Sequence, residues 1–161
     1  MMKMKLSYVE TELGKIAILT DSTGLKVIRI SFNPQDLEQT IDWNEVEIYD
    51  ETLASMEIRR YIDGKLREFT VEPILNGTKF QIAVWKETMK IPYGSMRTYS
   101  QVAELVGNKR AAKAVGNALR MNRIPIIVPC HRVIAKTGLG GFSAGLRWKT
   151  WLLELEGAIV P

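Results

Sequence analysis

The run Ile124-Pro125-Ile126-Ile127-Val128-Pro129 constrains this chain more than any other stretch. Each proline lacks an N–H and pushes the residue before it out of the helical region, so no regular helix can pass through. The aliphatic side chains around them call for burial. An extended, buried path is therefore expected, and it delivers Cys130 into apolar surroundings. The next residues, His131 and Arg132, suit such surroundings only if they are paired or functional.

Cys130 is the only cysteine and His131 the only histidine. No intramolecular disulfide can form, and a zinc site of cysteine and histidine ligands is disfavoured. A lone cysteine is ordinarily a small buried hydrophobe. To act as a nucleophile it needs a base or a positive neighbour, because burial raises the thiol pKa while the thiolate is the reactive form. Adjacent side chains diverge in an extended segment, so a Cys130–His131 contact requires a turn or a bridging water.

With 161 residues and 46% hydrophobic composition, the chain has room for one medium domain or two small lobes. It contains no apolar run of membrane-spanning length and no signal-peptide pattern, so a cytoplasmic protein without membrane contact is expected. Residues 6–32 alternate partly between apolar and polar, with turn signals at Leu13-Gly14 and Ser22-Thr23-Gly24, and predict a three-strand meander. Residues 33–50 are acidic and poorly patterned. Leu53, Met56, Arg60 and Tyr61 follow helical spacing up to Asp63-Gly64. Pro73 and Asn76-Gly77 mark a connection, which gives a supporting lobe over residues 1–76 and a second domain over 77–161.

In that second domain, Thr78 with Gln81 and Thr98 with Gln101 form capping-box patterns that start two helices. Gly107-Asn108 closes the second, and a third is expected from about Lys109 to Met121, making a candidate helix-turn-helix. On the third helix Lys109, Lys113, Gly116 and Arg120 share one stripe, while Ala111, Val115, Ala118 and Leu119 lie on another side. Its many Ala and Gly residues keep it thin, which suits either a narrow groove or tight helix packing. Residues 1–76 carry 9 Lys/Arg against 14 Asp/Glu, a balance of −5, and residues 77–161 carry 13 against 4, a balance of +9. The basic half therefore suggests a polyanionic partner, with a solvated basic face as the plain alternative.

Pro129-Cys130-His131-Arg132-Val133 resembles the active-site pentapeptide of the O6-alkylguanine-DNA alkyltransferases. Upstream Gly107-Asn108, the segment Ala111 to Gly116, Asn122 and Pro125-Ile126 match in order, as do downstream Gly138, Gly140-Gly141-Phe142-Ser143 and the segment Lys149 to Glu156. The resemblance covers about residues 78–157, with weaker likeness at Tyr61 to Gly64, Phe69 and Pro73. It implies an α/β protein: a small antiparallel-sheet, ribonuclease-H-like N-terminal lobe and a mainly helical, winged helix-turn-helix C-terminal lobe.

The resemblance also implies an activity: irreversible transfer of an alkyl group from O6-alkylguanine, and from O4-alkylthymine, in DNA to Cys130, once per molecule, with the nucleotide flipped out of the duplex. Cys130, His131, Glu156, Tyr99 and Asn122 are implied in catalysis. His131 would take the thiol proton through a water, Glu156 would orient the imidazole, Tyr99 would donate to the departing guanine, and Asn122 would act as a hinge. Val133, Phe142, Ser143 and Lys149 are implied at the substrate, and Lys109, Arg110, Lys113, Gly116, Arg120 and Arg132 at the DNA. No cofactor is implied; some relatives bind zinc in the N-terminal lobe, but residues 1–76 contain neither Cys nor His, so no metal is expected. The partner implied is double-stranded DNA containing alkylated guanine, and the protein is expected to act as a monomer.

Two residues depart from the family pattern. Lys113 stands where many members place an arginine that fills the gap left by the flipped base, a role Arg110 could share. Phe142 replaces a frequent tyrosine. Rival readings are an alkyltransferase-like protein that binds lesions without transfer, a cysteine hydrolase, and a helix-turn-helix regulator with a structural cysteine.

Overall fold

The computed structural model describes residues 2–161, which divide between Ile74 and Leu75 into two compact units. In the first, the alternating segment forms the meander β1 (Met4–Thr11), β2 (Gly14–Thr20) and β3 (Lys26–Ser31), paired antiparallel. After α1 (Pro34–Glu38), two short strands extend this sheet: β4 (Val46–Ile48) runs parallel to β1 and β5 (Glu72–Pro73) parallel to β3. The meander thus gains a parallel strand at each edge, in the order β4-β1-β2-β3-β5. Leu6, Ala17, Leu19, Leu37 and Val46 form an apolar cluster in this unit.

Helix α2 (Leu53–Ile62) starts at a capping box in which the Thr52 and Ser55 hydroxyls serve each other's backbone N–H groups, and its chain turns at Gly64 with φ +74°. From α2 the buried Glu57 carboxylate accepts from Thr70 N, Thr70 Oγ1 and Val71 N, fastening the chain just before β5.

The second unit contains α3 (Lys79–Met89), β6 (Arg97–Thr98), α4 (Tyr99–Leu105), α5 (Ala112–Arg120), β7 (Val133–Ile134) and α6 (Leu146–Leu155). Both expected capping boxes form: Thr78 Oγ1 accepts from Gln81 N and Thr98 Oγ1 from Gln101 N, each at 3.1 Å. Strands β6 and β7 pair in parallel. The core draws Val84 and Trp85 from α3, Val102 from α4, and Val115 and Leu119 from α5, around Val128 and Val133. The Trp85 indole donates to Ala118 O at 2.9 Å, tying α3 to the last turn of α5. Among the described residues, no helix is long and apolar enough to cross a membrane.

Two local expectations are corrected. Helix α5 begins at Ala112, so Lys109 and Arg110 precede it and the basic helical stripe shrinks to Lys113, Gly116 and Arg120. The cause is Asn108, whose Oδ1 accepts from Arg110 N while its carbonyl accepts from Ala111 N, a turn that competes with helix. The run 124–129 is buried but coiled rather than extended. Asn122 closes it, with Oδ1 accepting from Ile124 N at 3.0 Å and Nδ2 donating to Val128 O at 3.0 Å. Val128 N also donates to Ile124 O, and Ile126 sits at φ +75°.

Candidate active site

The coil over residues 124–129 leads into a 3-10 turn, Cys130–Arg132, closed by Arg132 N donating to Pro129 O at 2.9 Å. This turn, rather than an extended strand, sets the directions of three buried side chains. Cys130 Sγ accepts from Asn122 Nδ2 at 3.2 Å, so Asn122 touches both the loop backbone and the sulfur. Burial pushes the thiol up to about 11, against the opposing effects of the Asn122 hydrogen bond and the Lys149 charge.

Beside it, His131 is fully buried, and its Nε2 lies 2.7 Å from Glu156 Oε2. Burial holds the imidazole pKa below its usual value, with Glu156 opposing and Arg132 reinforcing that effect. Nδ1 has no hydrogen-bond partner among the described residues. Arg132 grips the same carboxylate: Nε donates to Oε1 at 2.8 Å and a terminal nitrogen to Oε2 at 2.9 Å, while the other donates to Ile91 O at 2.7 Å. Gly94 N also donates to Oε1, at 3.1 Å. The expectation that Arg132 meets DNA is therefore corrected. It is 6% exposed, with its guanidinium engaged by Glu156 and a backbone carbonyl.

A pocket of about 390 Å³ opens at Cys130. Helix α5 lines it with Ala112, Lys113, Gly116, Leu119 and Arg120, the loop before α6 with Gly141, Phe142 and Ser143, and α4 with Tyr99. Burial raises the Tyr99 pKa, so its hydroxyl remains a donor at neutral pH. Gly140 is fitted against this ring. At φ +73°, its ideal Cβ would lie 2.5 Å from Tyr99 Oη, closer than any side chain can stand. Ser143 Oγ donates to Arg120 O at 3.2 Å, joining the loop to the end of α5.

Lys149, expected at the substrate, is fully buried and does not line the pocket. Its ammonium donates to Val133 O at 2.7 Å and Gly141 O at 3.0 Å, fastening the pocket loop to β7, and burial lowers its pKa to about 8. Val133 itself is buried, with its carbonyl engaged by this ammonium. Lys109, Arg110, Lys113 and Arg120 are exposed, and Gly116 is half-buried on the pocket side of α5. Helix α5 has no side-chain cap at Ala111. Sequence reasoning missed the Arg132–Glu156 pair, whose one signal was an arginine set directly after an apolar run, and it missed the Trp85 link to α5, which has no local signal.

Residues 79–158 match the family model described as 6-O-methylguanine DNA methyltransferase, DNA binding domain. A methylated-DNA–protein-cysteine methyltransferase of Methanosarcina acetivorans is 40% identical over 156 residues, covering 96% of this chain and 99% of that protein. A probable methylated-DNA–protein-cysteine methyltransferase of Acanthamoeba polyphaga mimivirus is also 40% identical, covering 95% of this chain and 97% of that protein. The crystal structure of the Mycobacterium tuberculosis O6-methylguanine methyltransferase superposes with a TM-score of 0.81 at 36% identity, covering 98% of this chain and 95% of that one. A structure of the same mycobacterial protein in complex with DNA gives 0.81, covering 96% of this chain and 93% of that one. With near-complete coverage of relatives at this identity, the chain belongs to the methylated-DNA–protein-cysteine methyltransferase family.

Proposed function

We propose that this protein repairs DNA by direct reversal, moving the alkyl group of O6-alkylguanine onto Cys130, and that O4-alkylthymine is a second substrate. The observation that carries this reading is the position of the chain's only sulfhydryl: Cys130 lines a pocket shared with Tyr99 and α5, and follows directly on the loop closed by Asn122.

A thiol at about 11 is almost wholly protonated at neutral pH, so the proton must leave as the sulfur attacks. His131 Nδ1 is the base, reached through a bridging water, and Glu156 stabilises the imidazolium that forms. The S–C bond forms as the C–O6 bond breaks. The thiol loses a proton and the departing guanine gains one, with the Tyr99 hydroxyl donating to the base. Asn122 Nδ2 steadies the developing sulfur charge. Ser143 and Phe142 border the alkylated base, and Lys149 acts by holding the loop that carries them. A thioether cannot be hydrolysed by these groups, so each molecule acts once.

A base within a duplex stack cannot present its O6 substituent in line to this sulfur, so the nucleotide rotates out into the pocket. Helix α5 enters the minor groove, about 6 Å wide, with Ala114 and Gly116 allowing close approach. Lys113 stands at the vacated stack, and Lys109, Arg110 and Arg120 meet phosphates, helped by the uncapped N–H groups of α5. The protein works as a monomer in the cytoplasm on duplex DNA containing alkylated guanine.

The test is intact-mass measurement after incubation with an O6-methylguanine duplex. A gain of about 14 Da, one methyl group, located on Cys130 and limited to one per molecule, is the expected result. Cys130→Ala should bind the duplex without gaining mass. Repeated turnover, or methylation elsewhere, would refute the mechanism.

A further inference from the structure

His131 Nε2 approaches a carboxylate that is not its own to use. Glu156 is held by two charge-assisted hydrogen bonds from Arg132, one to each oxygen, and by Gly94 N. Arg132 is fixed in turn by Ile91 O and lies 5.9 Å from the centroid of the Tyr93 ring. A guanidinium bound to both oxygens keeps the carboxylate ionised and therefore acceptor-only. The proton in the 2.7 Å contact with Glu156 must then sit on Nε2, which leaves Nδ1 with its lone pair.

We propose that Arg132 is a positioning residue for alkyl transfer: by clamping both oxygens of Glu156 it fixes the Nε2–H tautomer of His131 and keeps the ring neutral until the thiol gives up its proton. The charged and titratable groups around the ring are Glu156 at the end of α6, Lys149 within α6, and Cys130 and Arg132 on its own turn. With the ring neutral, Glu156 and Arg132 balance each other. Without Arg132, the buried carboxylate would have the imidazole as its nearest source of positive charge, and the ring would be protonated before the reaction and unable to act as a base.

This inference rests on the alkyl-transfer reading, and its test separates the two. Because His131 is the only histidine, histidine labelled with nitrogen-15 gives ring signals from this residue alone in the full-length protein. The wild type, free of DNA, should show the neutral Nε2–H tautomer at pH 7. Arg132→Met should raise the ring's titration midpoint by about one pH unit or more, the usual effect of an uncompensated carboxylate neighbour. For a rise of about one unit, its single-turnover methyl transfer should fall about tenfold at pH values below the wild-type midpoint, with the deficit closing as pH rises above the raised midpoint.

Arg132→Lys, which keeps the charge but cannot span both oxygens, should shift the midpoint in the same direction by less, and it carries the test if the methionine variant does not fold. An imidazolium or an Nδ1–H tautomer in the wild type at pH 7, an unmoved midpoint, or a rate deficit equal at every pH would overturn the assignment. Failure of the wild type to gain a methyl group would overturn alkyl transfer while leaving the tautomer measurement readable.

Discussion

Replacing Gly140 by alanine separates pocket geometry from stability. The residue sits at φ +73°, and its added Cβ would stand 2.5 Å from Tyr99 Oη, 2.8 Å from Cε2 and 3.1 Å from Cζ. The left-handed backbone alone costs about 1–2 kcal/mol for a residue with a Cβ. The contact costs more, unless the ring retreats by roughly 1 Å to reach ordinary van der Waals distance. If Tyr99 donates to the departing base as proposed, a displacement of that size is worth about 100-fold in rate. Gly140→Ala should therefore lose about 100-fold in single-turnover transfer, while its thermal midpoint falls only by several degrees. Gly64→Ala is the matched control, since it has φ +74° with nothing within 4 Å of the added carbon. It should show the stability loss with little loss of rate. In a Tyr99→Phe background, where the closest contact is gone, Gly140→Ala should lose less than it does alone. A Gly140→Ala rate within threefold of wild type, measured at saturating duplex, would refute the argument.

Three further outcomes follow from the site. His131→Gln, which keeps a donor toward Glu156 but lacks a base, should be slower by about 10²–10⁴ at pH 7. Its deficit should shrink about tenfold per pH unit up to 10, because only thiolate already formed from a thiol at about 11 can react; a constant deficit would argue against general-base catalysis. Lys113→Ala should impair transfer from duplex far more than from single strands, and Lys113→Arg should improve duplex repair; equal losses on both substrates would sink the wedge role. Raising the thiol from 9.0 to about 11 means that the folded chain holds this proton more tightly than the unfolded one. The resulting stabilisation, roughly 3 kcal/mol, is present below pH 9 and disappears as pH rises toward 11. The stability of wild type relative to Cys130→Ala, followed by urea unfolding, should fall over that interval, and a flat difference would contradict the burial argument.

Local chemistry was legible in the sequence and distant pairing was not. The boxes at Thr78 and Thr98 each need only residues three apart, and the meander turns depend on neighbouring residues. Strands β4 and β5, of three and two residues, are too short to show alternation and exist because β1 and β3 offer free edges. The helical stripe beginning at Lys109 extended helix-forming residues past Asn108, whose side chain and carbonyl take the backbone N–H groups of Arg110 and Ala111. At the site, the motif around Cys130 indicated which residues gather there. It did not reveal that Arg132 turns inward, because its partner Glu156 lies 24 positions away and an arginine in a basic half of the chain reads equally well as a phosphate ligand.

Ile126 is buried with φ +75°, a conformation that a β-branched residue avoids by about 1–3 kcal/mol when nothing compels it. What compels it is the surrounding lobe: Asn122 spans the coil, Val128 joins the core, and Ile124, Ile126 and Ile127 are buried. The reactive loop is therefore not portable. A synthetic peptide covering residues 122–133, or the same segment grafted onto a foreign scaffold, would relax into extended forms and present an ordinary cysteine. An inhibitor raised against such a peptide would recognise a shape that the intact protein never displays.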